Sequence, residues 1–281
     1  MRGDTRFFCG AAQGSCGIAV MAKASCPGRT KTRLVPPLTF EEAAAFNTAF
    51  LQDVAANIAV ADRDARRWGG RLSGYMAFGP PRSEPFFREI LPVSVGLIEA
   101  WHPNFGDCLF AAVKKLLVLG HSGAAVVNSD SPTLPTALLV EAAEVLARSG
   151  DHAVLGPSTD GGYYLLGLKK PHRRLFEDVA WSTESVARQT LDRAAEIGLA
   201  VHVLPSWYDV DDFAALRLLR SELYAGVSFT PALTTHRATH VRQLFDVLLR
   251  ETDLAQRLAG EEPSVRDSAG VANPFTQRLA E

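Results

Sequence analysis

Lys23, Arg29, Lys31 and Arg33 place four cations within eleven residues, around the turn pair Pro27-Gly28. A loop this cationic can neutralise phosphate groups. Far downstream stand two sets of carboxylates: Asp130, in Asn128-Ser129-Asp130-Ser131-Pro132, and Asp209, Asp211 and Asp212, just after Trp207-Tyr208. Asp130 and one aspartate of 209–212 can hold a divalent cation. Oxygen-only ligation of this kind suits Mg2+ or Mn2+ rather than zinc. Asp160-Gly161-Gly162 adds a loop whose backbone can approach a ligand closely. Together these are the parts of a nucleotide phosphate–metal site. Each part alone has a plainer reading. The cations can be solvated surface, Asp130 and the 209–212 aspartates can cap the helices that follow them, and Asp160-Gly161 is an ordinary turn pair. The functional reading rests on their convergence.

Convergence requires a scaffold. Residues 124–127 read as a short buried strand, closed by Asn128, Ser129 and Asp130 and kept from continuing by Pro132 and Pro135. A carboxylate at that edge is costly without a cation to meet it. Residues 17–22 read as the first buried strand, leading straight into the cationic loop. Strands are also expected at 74–78, 93–98, 152–156, 163–168 and 199–204. Thr39 to Glu42 has capping-box form, and Phe46, Phe50, Val54 and Ile58 recur at helical spacing behind it. Further helices are expected over 106–119, from Leu138 to Leu146, over 183–197, from about Phe213, and from Val241 to Leu249. Residues 82–105 otherwise look irregular.

Alternating strands and helices predict an α/β domain built on a mostly parallel, Rossmann-like sheet with helices on both faces. Loops that follow its parallel strands open on one edge, which brings the three charged segments together. The expected organisation is a loose extension over 1–15, one domain over 16–225, a helical extension over 226–259 and a polar tail over 260–281.

The chain has 281 residues, 47% of them hydrophobic and 21% charged, with a net charge of −2. No basic excess points to nucleic acid, and no apolar run approaches the ~20 residues of a membrane helix. The 4 cysteines show no CxxC spacing, which fits a reduced, cytoplasmic compartment. His236 and His240 have HxxxH spacing without the accompanying Glu and are read as surface residues. The apolar stripe of the last helix is the one candidate contact for a homodimer, though packing on its own domain is the commoner use of such a stripe.

Five ordered segments carry a family resemblance: Ala22-Lys23…Pro27-Gly28…Lys31-Thr32-Arg33-Leu34; Ser129-Asp130-Ser131-Pro132-Thr133-Leu134-Pro135; Gly156-Pro157…Asp160-Gly161-Gly162-Tyr163-Tyr164-Leu165; Trp181-Ser182-Thr183; and Trp207-Tyr208-Asp209-Val210-Asp211. The chain resembles the bacterial GT-A-type glycosyltransferase-like family, long carried as a domain of unknown function. That family is similar in turn to the guanylyltransferases of molybdenum cofactor and of phospholactate. The resemblance implies a single GT-A, nucleotide-diphospho-sugar transferase fold. Lys23, Arg29, Lys31, Thr32 and Arg33 would hold nucleotide phosphates, Asp130 and Asp211 a Mg2+ or Mn2+ ion. Asp160, Gly161, Gly162, Trp181 and Ser182 would face the substrate, with Asp160 and Lys31 nearest the chemistry. Two departures stand out: Asn128 occupies a position where the family has Gly, and the 105–109 segment keeps only Gly106 and Asp107 of a longer family pattern. The expected activity is glycosyl transfer from a nucleotide-diphospho-sugar to a small-molecule acceptor. Nucleotidyl transfer from a nucleoside triphosphate and non-catalytic nucleotide binding are the alternatives.

Overall fold

The computed structural model describes residues 12–260. Its framework is a seven-stranded sheet: β1 (Ala12–Lys23), β2 (Arg71–Gly79), β3 (Gly96–Glu99), β4 (His121–Val127), β5 (His152–Pro157), β6 (Tyr163–Leu168) and β7 (Ala200–Val203). The spatial order is β3-β2-β1-β4-β6-β5-β7. β1 pairs in parallel with β2 and β4, β2 with β3, and β5 with β7. β6 alone runs against its neighbours, β4 and β5. The expected sheet is therefore present, with one antiparallel member. Local alternation cannot reveal that reversal, because a strand buried on both faces reads the same in either direction.

Among the described residues, α1 (Phe40–Ala65), α2 (Glu84–Ile90), α3 (Phe105–Val118), α4 (Thr136–Ala147) and α5 (Val186–Glu196) lie between strands, and α6 (Phe213–Ala225), α7 (Thr239–Glu251) and α8 (Leu254–Ala259) follow β7. Successive side chains of a strand point to opposite faces, so Ile18 and Val20 join the core beneath α1, α4, α6 and α7, while Ala19 joins the core beneath α3. Several boundaries differ from expectation: β3 begins at Gly96 rather than at 93, and α5 at Val186 rather than at 183. β1 begins at Ala12, inside the stretch expected to be loose, and α2 forms within 82–105, where Glu84 and Pro85 start a short helix. The polar tail beyond 260 lies outside the described residues.

α1 begins where its sequence says it should. Thr39 Oγ1 accepts from the Glu42 backbone N–H at 3.2 Å, and Glu42 Oε2 accepts from the Thr39 N–H at 2.8 Å. Its apolar stripe runs through the core, where Phe46 meets Phe245 of α7 edge-on at 4.7 Å. α7 lacks a side-chain cap of its own; Asp53, fully buried in α1, supplies one. Its carboxylate accepts the backbone N–H groups of His240 and Val241, both at 2.9 Å, and lies 2.8 Å from His240 Nδ1. His236 Nδ1 lies 3.1 Å from the Pro132 carbonyl oxygen. Both histidines are thus half-buried packing residues, a correction to their reading as surface groups. α6 is capped by Asp212, which accepts from Ala215 N–H at 2.8 Å.

The chain leaves β1 for β2 and β3 on one side, then returns to β4 on the other. The carboxyl ends of β1 and β4 therefore flank the point where strand order reverses, where open α/β sheets place their ligands.

Candidate functional site

The loop after β1 is a built structure. Arg29 and Thr30 N–H groups donate to the Cys26 carbonyl at 3.0 and 3.1 Å, and Gly28 supplies the left-handed turn at φ 74°. Lys31 follows at φ 53°, unusual for a residue with a side chain. A 3-10 turn, Thr32–Leu34, then plugs Leu34 into the core. This anchor turns Lys31 inward and leaves Arg33 mostly exposed.

On the other side, Val127 ends β4. Asn128 N–H donates to the Tyr164 carbonyl at 3.0 Å, and Asn128 Nδ2 to Ser131 Oγ at 3.2 Å, so Asn128 shapes the turn that presents Asp130. Ser129 Oγ donates to Asp130 Oδ1 at 2.7 Å. The 207–211 segment is strapped to this turn: Val210 N–H donates to the Asp130 carbonyl at 2.8 Å and Ser131 Oγ to the Tyr208 carbonyl at 2.8 Å. Trp207, fully buried, anchors the strap. These bonds bring Asp211 beside Asp130.

Between the two carboxylates lies the ammonium of Lys31. Its Nζ is 2.7 Å from Asp130 Oδ1, 2.8 Å from Asp211 Oδ1 and 3.1 Å from the Val210 carbonyl oxygen, with the side chain 6% exposed. Arg33 takes the second oxygen of Asp211. Burial works against ionising Asp211, but Lys31 and Arg33 outweigh it and hold its carboxyl below the usual range. For Lys31, burial opposes the charge while Asp130 and Asp211 lift its pKa above the ordinary lysine value. Burial lowers the pKa of Lys23 at the end of β1, with Asp130 acting the other way.

Asp209 has no such compensation. Burial, followed by the negative charges of Asp211, Asp160 and Asp130, pushes its carboxyl up to about 7. Around Asp209, therefore, the carboxylates of Asp130, Asp160 and Asp211 crowd together, a local condition that a divalent cation relieves. Among the described residues no three His, Cys, Asp or Glu side chains group into a metal cage. The two oxygens converging on one point match the way Mg2+ is held, by one or two carboxylates with phosphate and water completing the shell. The residues fit the ion.

A cleft of about 300 Å³ opens here. Its charged wall carries Lys23, Arg29, Lys31, Arg33, Asp130 and Asp211; Thr30, Thr32, Asn47 and Ser129 add hydroxyl and amide groups. Its other wall is apolar, made by Met21, Ala77, Ala100 and Phe105. Gly79 lies on that wall because a Cβ there would meet Trp101 at 2.3 Å. Asn47, Ser129 and the apolar wall were not foreseen from sequence. Asn47 had a signal, an amide beside Phe46 on the buried face of α1; its Nδ2 donates to the Lys23 carbonyl at 3.2 Å.

The remaining expected residues stand apart. Asp160, Gly161, Gly162, Trp181 and Ser182 do not line this cleft. Asp160 Oδ1 accepts from the Gly162 N–H at 2.9 Å, the plain turn geometry, while its charge still reaches Asp209. Gly161 sits at φ 87°, with the Glu184 carbonyl oxygen 2.0 Å from where a Cβ would stand. Trp181 packs edge-on against Phe105 at 5.5 Å, one layer behind the apolar wall. Asp107 pairs with Arg173, and Cys108 Sγ receives the His102 N–H, so the departing 105–109 segment serves packing behind Phe105.

Residues 66–183 match the family described as an uncharacterized protein conserved in bacteria, DUF2064. No curated protein matches the sequence. Among solved structures, the chain is similar to a protein from Desulfovibrio desulfuricans G20, provisionally named a nucleotide-diphospho-sugar transferase. The two are 25% identical with a TM-score of 0.67, covering 85% of this chain and 98% of that one. More distant likenesses are a cytidylyltransferase from Leptospira borgpetersenii (9% identical, TM-score 0.47, 88% and 98% covered) and a CMP:2-keto-3-deoxy-manno-octonic acid synthetase complexed with CTP (12%, 0.45, 76% and 100%). These two superpose too loosely to bear on the reading of the site. From residue 66 to residue 183 the chain matches the DUF2064 family, and over 85% of its length it shares the GT-A-type fold of the Desulfovibrio desulfuricans protein.

Proposed function

We propose that the protein is a metal-dependent transferase acting on a nucleotide-activated substrate, by glycosyl transfer from a nucleotide-diphospho-sugar to a small-molecule acceptor. The carrying observation is the meeting of Lys31, Arg33, Asp130 and Asp211 at the strand-order switch of this fold. Lys23, Arg29, Thr32 and Arg33 bind the phosphates along the charged wall, and the apolar wall around Phe105 receives the base. Asp130 and Asp211 hold Mg2+ or Mn2+, which supplies charge neutralisation for the diphosphate leaving group. Lys31 and Arg33 add positive charge where the leaving group becomes more anionic. Asp160, with Gly161 and Gly162, orients the acceptor, supported by the proximity of its charge to Asp209 at the edge of the site. Trp181 and Ser182 support that side of the site.

Two measurements test this. A nucleotide-diphospho-sugar at a hundred times its dissociation constant stabilises the fold by about 2.7 kcal/mol, a rise of roughly 5–11 °C in Tm for a domain of this size. Asp130→Ala lowers kcat/KM by about 10²-fold or more. Unchanged turnover in that variant overturns the reading. One observation favours nucleotidyl transfer instead: the four basic residues lining the cleft suit a triphosphate as well as a diphosphate. Stabilisation by nucleoside triphosphates and not by nucleotide sugars, with release of pyrophosphate, selects that reading.

A further inference from the structure

The acceptors around Lys31 Nζ are two carboxylate oxygens and a backbone carbonyl oxygen, at 2.7, 2.8 and 3.1 Å. An ammonium has three N–H donors, and all three are used. The set is also the hard-oxygen donor set that a divalent cation takes. The ammonium is held further by the Phe50 ring, whose centroid lies 5.3 Å away. Lys31 reaches this point from a left-handed backbone residue on a loop otherwise shaped to face phosphate. An ammonium and a divalent ion cannot occupy one tripod of oxygens together.

We propose that Lys31 is the resting occupant of the divalent-cation position, so that the Asp130–Asp211 pair accepts metal only when the ammonium leaves. This deepens the proposed function and rests on it in one respect: a nucleotide phosphate on the charged wall is what offers Lys31 an alternative partner. Lysine suits such exchange, since its charge is a point on a flexible four-carbon stem rather than a fixed bidentate fork. Without nucleotide the site keeps its carboxylates neutralised and closed to metal; with nucleotide, ammonium and metal each move onto phosphate. Metal and nucleotide then enter together.

The test is Mn2+ affinity in the absence of any nucleotide, read from the spin resonance of free Mn2+ with the full chain. Lys31→Gly suits the left-handed backbone position and removes the competitor. It binds Mn2+ roughly tenfold or more tightly than the wild type, because the competent state no longer has to be freed first. Adding Asp130→Asn to Lys31→Gly abolishes the gain. Arg33→Gln, which removes a cation that also pairs with Asp211 but is 73% exposed, produces little of it. Equal affinity in wild type and Lys31→Gly, or an equal gain in Arg33→Gln, overturns the proposal. If Lys31→Gly does not fold unaided, recovery of its melting transition by Mn2+ supports the proposal and failure of Mn2+ to restore it overturns it. The gain in Mn2+ affinity is independent of turnover. A Lys31→Gly gain with no nucleotide binding refutes the transferase reading alone, whereas nucleotide turnover without that gain refutes the Lys31 proposal alone.

Discussion

At the scale of single residues, the site is governed by where charge is left uncompensated. Lys31 and Arg33 satisfy Asp211, whereas Asp209 stands among three other aspartates and is pushed up to about 7. Gly161 is set by geometry of another kind. A side chain at φ 87° is strained, and the Glu184 carbonyl fills the space a Cβ needs. Gly161→Ala should cost about 2 kcal/mol or more, measured by urea unfolding, with the loss unchanged by added metal. Its loop closes onto α5, where the Gly161 carbonyl accepts the Ala187 N–H at 2.9 Å.

At the scale of elements, helices are held by one another. Glu42 both closes the capping box of α1 and receives Arg257 of α8, at 2.6 and 2.8 Å. Burial works against its ionisation, but Arg257 and the Thr39 N–H overcome this and hold its carboxyl below the usual value. A carboxylate whose folded pKa is depressed contributes stability that is present above the unfolded value, near 4.5, and lost as pH falls through the folded one. Glu42→Gln should therefore lower stability by about 1 kcal/mol at pH 7, and thermal melts should show the gap to wild type closing below pH 4.5. Asp53 ties α7 to α1 more strongly, because it caps two backbone N–H groups from a fully buried position. Asp53→Ala should cost about 2–4 kcal/mol, and hydrogen exchange should show α7 amides losing protection before those of β1 and β4.

At the scale of the whole molecule, a weakly negative protein presents one concentrated basic wall at the switch point of its sheet. Nucleotide attraction to that wall should weaken as salt shortens the screening length from about 10 Å at 0.1 M toward 3 Å at 1 M. Titrations across that range should show nucleotide affinity falling while Tm of the free protein changes little. The same arrangement explains why no single segment reveals the site. The β1 loop, the β4 turn and the strap over 207–211 are each ordinary alone and meet only because parallel strands deliver their carboxyl ends to one edge.

The sequence by itself determined the repeating parts: buried strands from runs such as Ile18 to Val20, the start of α1 from Thr39 and Glu42, and the acidic and basic segments as candidates. Those properties are local, set by side-chain periodicity and by hydrogen bonds a few residues long. Only the tertiary structure decided that β6 runs backward, that Asp53 caps a helix nearly two hundred residues away, and that the 157–162 loop stays off the cleft. It also decided what stands between Asp130 and Asp211, the ammonium of Lys31. Such contacts depend on distances between segments remote in the chain, and Coulomb and hydrogen-bond energies at 2.7 Å are fixed by those distances, which no stretch of sequence contains.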